Sequence, residues 1–188
     1  YTPEGKAGQR PDYAVTVYTK ILKEIYPDIP VIIGGIEASL RRVTHYDYWQ
    51  DALKPSVLVE SGADWLCYGM GERTMIEFTR AIESGRNLND IRKIPQLAFY
   101  MDGRCRTKDA VILNSFERCC KDKVAFAENF HVIETYANML QPPVLVEPCG
   151  KGYVQINPTW PPATPQEMDS FWDLPFTKLP HPRYKGKH

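Results

Sequence analysis

The chain has 188 residues, of which 43% are hydrophobic, 24% charged and 12% aromatic. This size and composition suit one domain, or one domain with an arm, that buries roughly 70% of the surface of its unfolded chain. Because 23 Lys and Arg balance 23 Asp and Glu, no overall field draws the chain toward nucleic acid or an anionic membrane. No apolar run approaches the roughly 20 residues of a membrane span, and no charged-then-apolar leader is present, so we expect a cytoplasmic protein.

The cysteines are scattered and form neither a CxxC nor a CxxxCxxC spacing. This pattern favours free thiols over a disulfide framework or a metal-binding knuckle. No sequence context lowers a thiol pKa, so we expect neither a catalytic cysteine nor a metal ligand among them. They are Cys67, Cys105, Cys119, Cys120 and Cys149. Because the chain starts with Tyr1 and not Met, we expect a piece of a longer protein.

Apolar residues at the helical period predict an amphipathic helix over 14–25, opened by Pro11 and closed before Pro27. Its stripe consists of Ala14, Val17, Tyr18, Ile21, Leu22 and Ile25. The following segment, Pro30 to Gly35, is continuously apolar and ends in glycine, which is typical of a strand covered on both faces of a parallel sheet. A helix followed by a buried strand indicates an α/β fold.

The same pattern returns further along, with a buried strand over 64–69 and a helix over 72–83 that Gly85 closes. We expect Met75, Ile76 and Phe78 to form the packed face of that helix. The two units together predict an α/β fold with a parallel sheet and flanking helices. The intervening stretch, 46–61, is predicted to be helical at first and interrupted by Pro55.

Two turn signals predict small hairpins. Asp102-Gly103 lies between the apolar runs 97–101 and 110–113, which indicates a hairpin. The runs 144–147 and 153–156 lie on either side of a Cys-Gly-Lys-Gly turn, which indicates a second one.

Helix-capping signals predict the remaining helices. Ser115 is a predicted N-cap for a helix, with a break, to about Leu140. Thr164 and Glu167 form a capping box for a short helix that ends near Trp172.

Proline divides the chain, since ten of its 16 prolines follow residue 140. We therefore predict an α/β domain over 1–140, lacking its first strand and carrying the hairpin and helix at 96–140. The remainder, 141–188, is predicted to be a proline-rich arm or linker.

The first candidate site is the glycine loop that runs from Gly34 to Arg42. Loops at the carboxyl ends of parallel strands bind ligands in open α/β sheets, and the paired glycines Gly34 and Gly35 allow close approach. The alternative is a tight turn in which Glu37 or Ser39 caps the helix. No GxGxxG is present, so no dinucleotide fingerprint is indicated.

The second candidate is the loop that contains Gly69 and Gly71 and opens a helix at Glu72. Exposed amides at a helix N-terminus can hold an anion, although capping alone also explains this sequence. If both predicted strands are parallel in one sheet, the two glycine loops emerge at the same edge.

The third candidate is the polar and aromatic segment from Arg41 to Trp49. Arg41 and Arg42 suit phosphate or carboxylate, and His45 with Asp47 could pair for proton transfer or orient each other. The aromatic residues, which include Tyr46 and Trp49, could stack on a base or a corrin-like ring. The alternative is an internal interface with a neighbouring domain.

The C-terminal end is basic and free of acidic residues. It contains Lys178, His181, Arg183, Lys185, Lys187 and His188. A solvated linker and a contact with RNA or DNA both remain open.

At these residues the sequence resembles the YgiQ-like proteins of the radical S-adenosylmethionine (SAM) superfamily, in the region N-terminal to their radical domain. The resemblance covers nearly the whole chain. Its motifs are Tyr1-Thr2-Pro3, Gly5 to Gly8, Arg10-Pro11-Asp12, Gly34 to Arg42, His45 to Trp49, Tyr68 to Glu72, Asp173 to Phe176 and His181-Pro182.

The resemblance implies a Rossmann-like α/β domain, similar to flavodoxin-like and cobalamin-binding domains, followed by a radical domain in the same polypeptide. There a CxxxCxxC triad holds a 4Fe-4S cluster that generates a 5′-deoxyadenosyl radical from SAM. This chain has no such triad, so we expect it to bind no cluster and to catalyse nothing by itself. The cobalamin-ligand signature DxHxxG is also missing, because Val43 stands two positions before His45, where the signature requires Asp. Whether the domain binds cobalamin is therefore left open at this point.

The expected role is a substrate platform, cofactor platform or lid for a radical SAM enzyme of unknown substrate. Its expected contact surface is the glycine edge with Arg41, Arg42, His45, Asp47 and Trp49. One alternative is a non-catalytic docking module, and another is an RNA-contacting domain of a nucleic-acid-modifying enzyme. We expect no membrane partner.

Overall fold

The computed structural model describes residues 6–177 and 179–184. The helices are α1 (Ala14–Ile25), α2 (Gly35–Leu40), α3 (Val57–Ser61), α4 (Glu72–Glu83), α5 (Leu88–Ile91), α6 (Phe116–Cys119), α7 (Lys123–Ala137) and α8 (Pro165–Trp172), with a 3₁₀ turn at Pro182–Tyr184. The strands are β1 (Ile32–Ile33), β2 (His45–Asp47), β3 (Ala52–Lys54), β4 (Trp65–Cys67), β5 (Leu97–Asp102), β6 (Val111–Ile112), β7 (Leu145–Cys149) and β8 (Gly152–Ile156).

The main sheet has the strand order β1-β4-β5-β8-β7-β6, and β2 pairs with β3 in a separate hairpin. The pairs β1–β4 and β6–β7 are parallel, and the other pairs of the main sheet are antiparallel. The predicted α/β fold is therefore confirmed, whereas the parallel arrangement expected of a Rossmann-like sheet is limited to these two pairs.

Both faces of the main sheet are covered. Along β4, Leu66 packs into one core cluster, while Trp65 and Cys67 pack into the other. Ala98 of β5 shares the cluster of Leu66, and Phe99 shares that of Trp65. Since successive side chains of a strand point to opposite faces, the two clusters are the two sides of the sheet.

Local sequence signals, namely apolar periodicity and capping residues, predicted several helices correctly. Helices α1 and α4 have the predicted bounds, and α8 carries the predicted capping box between Thr164 and Glu167. Ser115 caps α6 and Asp122 caps α7, so the predicted break falls between these two helices. The side-chain oxygens of these caps accept backbone N–H groups that the first helical turn leaves unpaired.

The apolar stripe of α1 and the predicted packed face of α4 are both largely exposed. In α1 the buried residues are Thr16 and Thr19, while most of the apolar stripe is exposed. In α4, Phe78 is buried as expected, but Met75 and Ile76 are exposed. Periodicity located the helices but did not identify the side that meets the sheet.

The helix predicted at the start of 46–61 is also wrong, because this segment forms the β2–β3 hairpin followed by α3. Asp47 Oδ1 accepts hydrogen bonds from the backbone N–H groups of Trp49 and Gln50, each at 3.0 Å. Asp51 adopts a left-handed conformation with φ of 49°. A side-chain acceptor that bonds to amides two and three residues later favours a turn over a helix.

The hairpin predicted around Asp102-Gly103 does not form. Strand β5 pairs with β4 and β8, and β6 pairs with β7. Five consecutive residues of β5, from Ala98 to Asp102, pair with β8, an extent that the two-residue strand β6 could not match.

The second predicted hairpin is confirmed as β7–β8, with a left-handed Gly150 at its turn. Its strands, however, lie inside the main sheet and not in an arm beginning at residue 141. Gly152 is required in β8, because a Cβ atom there would lie 2.1 Å from the carbonyl oxygen of Met101. The segment after Ile156 packs back on α4, where Trp160 Nε1 donates to Thr74 Oγ1 at 2.9 Å.

Candidate functional site

The two glycine loops, 34–42 and 69–72, meet at one edge of the sheet, which we call the glycine-loop edge. They follow β1 and β4, which are parallel. The backbone N–H of Gly69 donates to Ser39 Oγ at 3.3 Å. Ser39 therefore connects the loops and does not cap α2, whose N-cap Gly34 has no side-chain hydrogen bond.

The two glycines of the first loop are favoured for different local reasons, close packing at Gly34 and backbone conformation at Gly35. A Cβ on Gly34 would lie 3.2 Å from the carbonyl oxygen of Cys67 in the neighbouring strand. Gly35 has a φ of 83°, a conformation that favours glycine, and it begins α2. Both glycines thus allow β1 to turn directly into a helix beside β4.

The second loop is held by Gln96, a residue that sequence reasoning missed. Gln96 Nε2 donates to the carbonyl oxygens of Tyr68 and Met70, at 2.9 and 3.1 Å. Gly69 has a φ of 69°, and a Cβ there would lie 2.9 Å from Gln96 Nε2. A left-handed φ at Gln96 itself, of 59°, was not visible as a sequence signal.

Gly71 and Glu72 start α4 without a side-chain cap. A Cβ on Gly71 would lie 3.0 Å from Cys67 Sγ, so this glycine lets the loop pack against β4. Glu72 is exposed in the first turn of α4. Its carboxylate is placed favourably with respect to the helix dipole.

The two arginines of the first loop have different surroundings. Arg41 forms an ion pair with Glu37, with an Nη1 to Oε1 distance of 3.1 Å, and its guanidinium lies 5.4 Å from the ring centre of Tyr13. Arg42 forms no ion pair with any residue that the structure describes. Its Nη1 donates to the carbonyl oxygen of Ser39 at 2.6 Å, and its guanidinium lies 5.0 Å from the ring centre of Tyr68.

Arg42 lines a cavity of about 100 Å³ beside the glycine-loop edge. Tyr68 lies next to it, and the cavity's other walls include Tyr136 and the prolines Pro142, Pro143 and Pro158. Burial lowers the pKa of Arg42. A guanidinium has five N–H donors, so Arg42 retains donors for an anionic group in this partly apolar cavity.

His45 and Asp47 do not form a hydrogen-bonded pair. His45 Nδ1 lies 3.2 Å from the carbonyl oxygen of Val43, which requires a proton on Nδ1, and its buried Nε2 has no hydrogen-bond partner among the described residues. Burial is the main reason that the pKa of His45 is lowered. Asp47 is only 3% exposed and accepts from Tyr13 Oη at 3.1 Å in addition to its two turn amides. Asp47 therefore organises the hairpin and its contact with α1.

The aromatic residues of this segment are exposed, in contrast to His45 and Asp47. Tyr48 and Trp49 are each 68% exposed, and their ring centres are 5.0 Å apart. Tyr46 is exposed as well and donates to Asp51 at 2.5 Å. The predicted cluster of Arg, His, Asp and aromatic groups is thus divided between a buried side and an exposed side of one hairpin.

The cysteines of this chain do not fit an iron-sulfur cluster. Among the described residues, no three His, Cys, Asp or Glu side chains are grouped as a metal site. Cys67, Cys119 and Cys149 are buried free thiols. Burial raises the pKa of Cys119 and of Cys149 to about 11, which disfavours the thiolate that a metal would need.

Glu147 is a buried carboxyl group that sequence reasoning treated only as part of a strand. It is 1% exposed, and its Oε2 accepts the backbone N–H of Thr44 at 2.8 Å. Burial raises its pKa to about 7. The only available signal was a glutamate inside the apolar run of β7.

The basic tail is described in part. His181 Nδ1 accepts the backbone N–H of Arg183 at 3.2 Å. Lys178, Lys185, Lys187 and His188 lie outside the described residues, as do Tyr1, Thr2, Pro3 and Gly5 of the family motifs. Within the described part of the chain, no helix has the length and apolarity to cross a membrane.

Comparison with known proteins identifies relatives over the whole chain. The family model described as "Radical SAM N-terminal" matches residues 1–188. A UPF0313 protein of Porphyromonas gingivalis is 46% identical over 191 residues, covering 100% of this chain and 30% of its own length. A UPF0313 protein of Bacteroides thetaiotaomicron is 43% identical over 204 residues, covering 100% and 32%.

A UPF0313 protein of Methanocella arvoryzae is 39% identical over 185 residues, covering 98% of this chain and 31% of its own length. The chain thus spans about a third of the length of these relatives. No solved structure matches the chain significantly. The family match over every residue confirms the resemblance carried by the sequence motifs, and the chain belongs to the radical SAM N-terminal family of the YgiQ-like UPF0313 proteins.

Proposed function

We propose that this chain is the substrate or cofactor platform of a radical SAM enzyme, and that the glycine-loop edge faces the radical domain of the same polypeptide. Family membership implies a 4Fe-4S cluster and SAM for the full-length protein. The cysteines described here do not form a ligand set, so the cluster is held elsewhere in that protein. Binding and positioning are the tasks left for this domain.

The position of Arg42 is the observation that supports the proposal. It places a partly buried cation at a cavity beside two glycine loops, without an ion pair among the described residues, since Glu134 interacts with it only at longer range. Removing a charge from water is costly unless an opposite charge compensates it. A carboxylate or phosphate of the bound molecule is the group that matches the remaining guanidinium donors.

Cobalamin is a possible occupant of the same edge, but the residues present do not supply a histidine ligand there. His45 is the nearest candidate in sequence, and its ring is partly buried with Nδ1 bonded to Val43. A cobalamin bound to this edge would have to be held without coordination by His45.

The experiment uses the full-length protein, reconstituted anaerobically with iron and sulfide, reduced with dithionite as the electron donor, and assayed for 5′-deoxyadenosine from SAM. We expect product formation, and we expect a small-molecule extract of the producing cells to stimulate it. Arg42→Met should abolish the stimulation while leaving the cluster absorbance unchanged. Titration with hydroxocobalamin, followed by its visible spectrum, tests the cofactor version of the platform.

Arg41→Met is the matched control, because Arg41 already has Glu37 as its counter-ion. This variant should keep the stimulation. If Arg42→Met is stimulated as strongly as the wild type, the platform assignment to this cavity is wrong. If no 5′-deoxyadenosine forms under any condition, the radical activity itself is not supported.

The alternative function is a docking module without small-molecule binding. The exposed pair Tyr48–Trp49, whose rings are in contact at a tilt of 30°, favours it, since exposed aromatic residues are common at protein interfaces. Trp49→Ala would then weaken association with the radical domain in a proteolytically nicked full-length protein, and extract would not affect turnover. The RNA-contacting alternative has only the basic tail in its favour, and it predicts steeply salt-dependent RNA binding.

We also propose a cytoplasmic location. The cysteines are free thiols, as in proteins of reducing compartments. Their alkylation by a membrane-permeant reagent in living cells, without prior reduction, would support this proposal. Disulfide-linked species under the same conditions would contradict it.

A further inference from the structure

Helix α1 has an apolar side that the described residues leave about half exposed, which we call the outer face of α1. Its residues Tyr18, Ile21, Leu22 and Ile25 are 49%, 44%, 44% and 60% exposed. Tyr26 and Ile29, in the loop that leads to β1, are also more than half exposed. Apolar residues grouped on one helical face normally pack against another element.

The inward side of α1 is already occupied by other contacts. Thr16 and Thr19 are buried, and α1 packs against α3. Lys23 Nζ forms an ion pair with Asp64, 2.9 Å away, just before β4. The helix is therefore fixed to the domain, and its outer face is directed beyond the described part of the sheet.

Strand β1 also has a free side. It is the edge strand of the main sheet, and β4 is its pairing partner among the described strands. The backbone N–H of Trp65 donates to the carbonyl oxygen of Val31. Because hydrogen-bonding groups alternate along a strand, the N–H and C=O of Ile32 point to the free edge.

The order of helices and strands along the chain indicates which kind of element would cover both the outer face of α1 and the free edge of β1. Helix α3 connects β1 to the parallel strand β4 and packs beside α1. Helix α1 precedes β1 as α3 precedes β4. It therefore has the position of a crossover helix that connects β1 to a further parallel strand preceding α1. Right-handed crossovers place such a strand next to β1, beneath the helix that joins them.

We propose that the outer face of α1 and the free edge of β1 together bind a β-strand from the part of the full-length polypeptide outside these 188 residues. Relatives offer ample chain for this, since the matched region is 30% of the Porphyromonas gingivalis protein. A second copy of the chain that paired through α1 alone would leave the edge of β1 open. The added strand runs parallel to β1, and the segment next to it covers the outer face of α1.

The test uses the full-length protein and hydrogen exchange resolved at single amides. The amide of Ile32 should exchange at least about 100-fold more slowly than an unprotected amide, because the added strand accepts its hydrogen bond. Exchange close to the unprotected rate would overturn the proposal. This measurement needs no variant and therefore does not depend on a variant that folds.

Substitution provides the second measurement. Ile21→Asp in the full-length protein should lower its Tm by several degrees and accelerate exchange at Ile32. Lys20→Asp introduces the same side chain at an exposed position of the same helix and should leave both quantities nearly unchanged. Equal effects of the two substitutions would contradict the proposal, and so would a dimer in light scattering that Ile21→Asp dissociates.

Discussion

Glu147 on β7 accepts the backbone N–H of Thr44 across 103 positions of sequence, at a distance of 2.8 Å. The carboxyl group and the amide are both buried, so this bond joins the segment before β2 to the interior of the main sheet. Burial raises the pKa of Glu147 from an ordinary 4.5 to about 7. A carboxyl group in this state links the stability of the domain to pH.

Glu147→Gln should remove this linkage. Between about pH 4.5 and 7 the folded protein keeps a proton that the unfolded chain has released, so the wild type loses stability as the pH rises through this range. The neutral amide oxygen can still accept the backbone N–H of Thr44, and because Gln does not titrate, its contribution to stability does not change with pH. We expect the variant to match the wild type near pH 4 and to be more stable above pH 7, by about 3 kcal/mol. Urea unfolding at several pH values measures the difference.

Glu117→Gln is a control of opposite sign. Burial opposes ionisation of Glu117, but hydrogen bonds, including one from the backbone N–H of Gly150, hold its pKa below the ordinary value. Its contribution to stability is therefore present at neutral pH and lost as the pH falls. A stability difference between Glu147→Gln and wild type that stayed constant from pH 4 to 8 would contradict the assignment.

Thr74 connects the C-terminal segment to α4. Its Oγ1 donates to the carbonyl oxygen of Pro95 at 3.0 Å and accepts from Trp160 Nε1 at 2.9 Å. Thr74→Val leaves both partners without a hydrogen bond and should cost about 2 kcal/mol. Thr79→Val, on the exposed side of α4, should cost less than about 0.5 kcal/mol. Urea unfolding followed by tryptophan fluorescence checks both values, and equal costs would exclude a special role for Thr74.

Asp47 should be more important for stability than its neighbour in the turn. Asp47→Asn weakens three hydrogen bonds, from Tyr13, Trp49 and Gln50, whereas Asp51→Asn affects one exposed bond from Tyr46. We expect a clear decrease in the urea midpoint for Asp47→Asn and little change for Asp51→Asn. A larger decrease for Asp51→Asn would mean that the hairpin is not organised by Asp47.

Alanine substitutions at Gly69 and Gly62 distinguish the stability cost of backbone strain from that of steric overlap. Both have left-handed φ values, of 69° and 75°, but a Cβ at Gly62 meets nothing within 4 Å. Gly62→Ala should therefore cost about 1 kcal/mol from the backbone alone. Gly69→Ala displaces Gln96 as well and should cost at least about 2 kcal/mol. If the two substitutions destabilise the protein equally in thermal unfolding, the side chain of Gln96 can be displaced without measurable cost.

Sequence reasoning succeeded where the determinants are local. The capping box from Thr164 to Glu167 and the glycine at the β7–β8 turn act within a few residues, so their patterns are visible in the sequence. The contact of the two glycine loops also followed from a simple rule about parallel strands, and the Ser39–Gly69 hydrogen bond agrees with it.

It failed where distant segments compete. The partner of β5 could not be read from the Asp102-Gly103 turn, because β8 offers a longer pairing 50 residues away. The same limit applies to the buried surroundings of Arg42, which depend on Tyr136 and Pro142 from far along the chain. Periodicity likewise cannot distinguish a helix face that meets its own domain from one directed elsewhere, as in α1.

The position of β8 between β5 and β7 has a consequence for biosynthesis. As the nascent chain leaves the ribosome, β1, β4 and β5 are complete long before residues 152–156 emerge. Until then β5 presents an open edge whose exposed backbone can pair with other strands. Chain elongation through Ile156 is thus the step that covers this edge of β5, and a chain that terminates between β5 and β8 leaves the edge open to pairing with other chains.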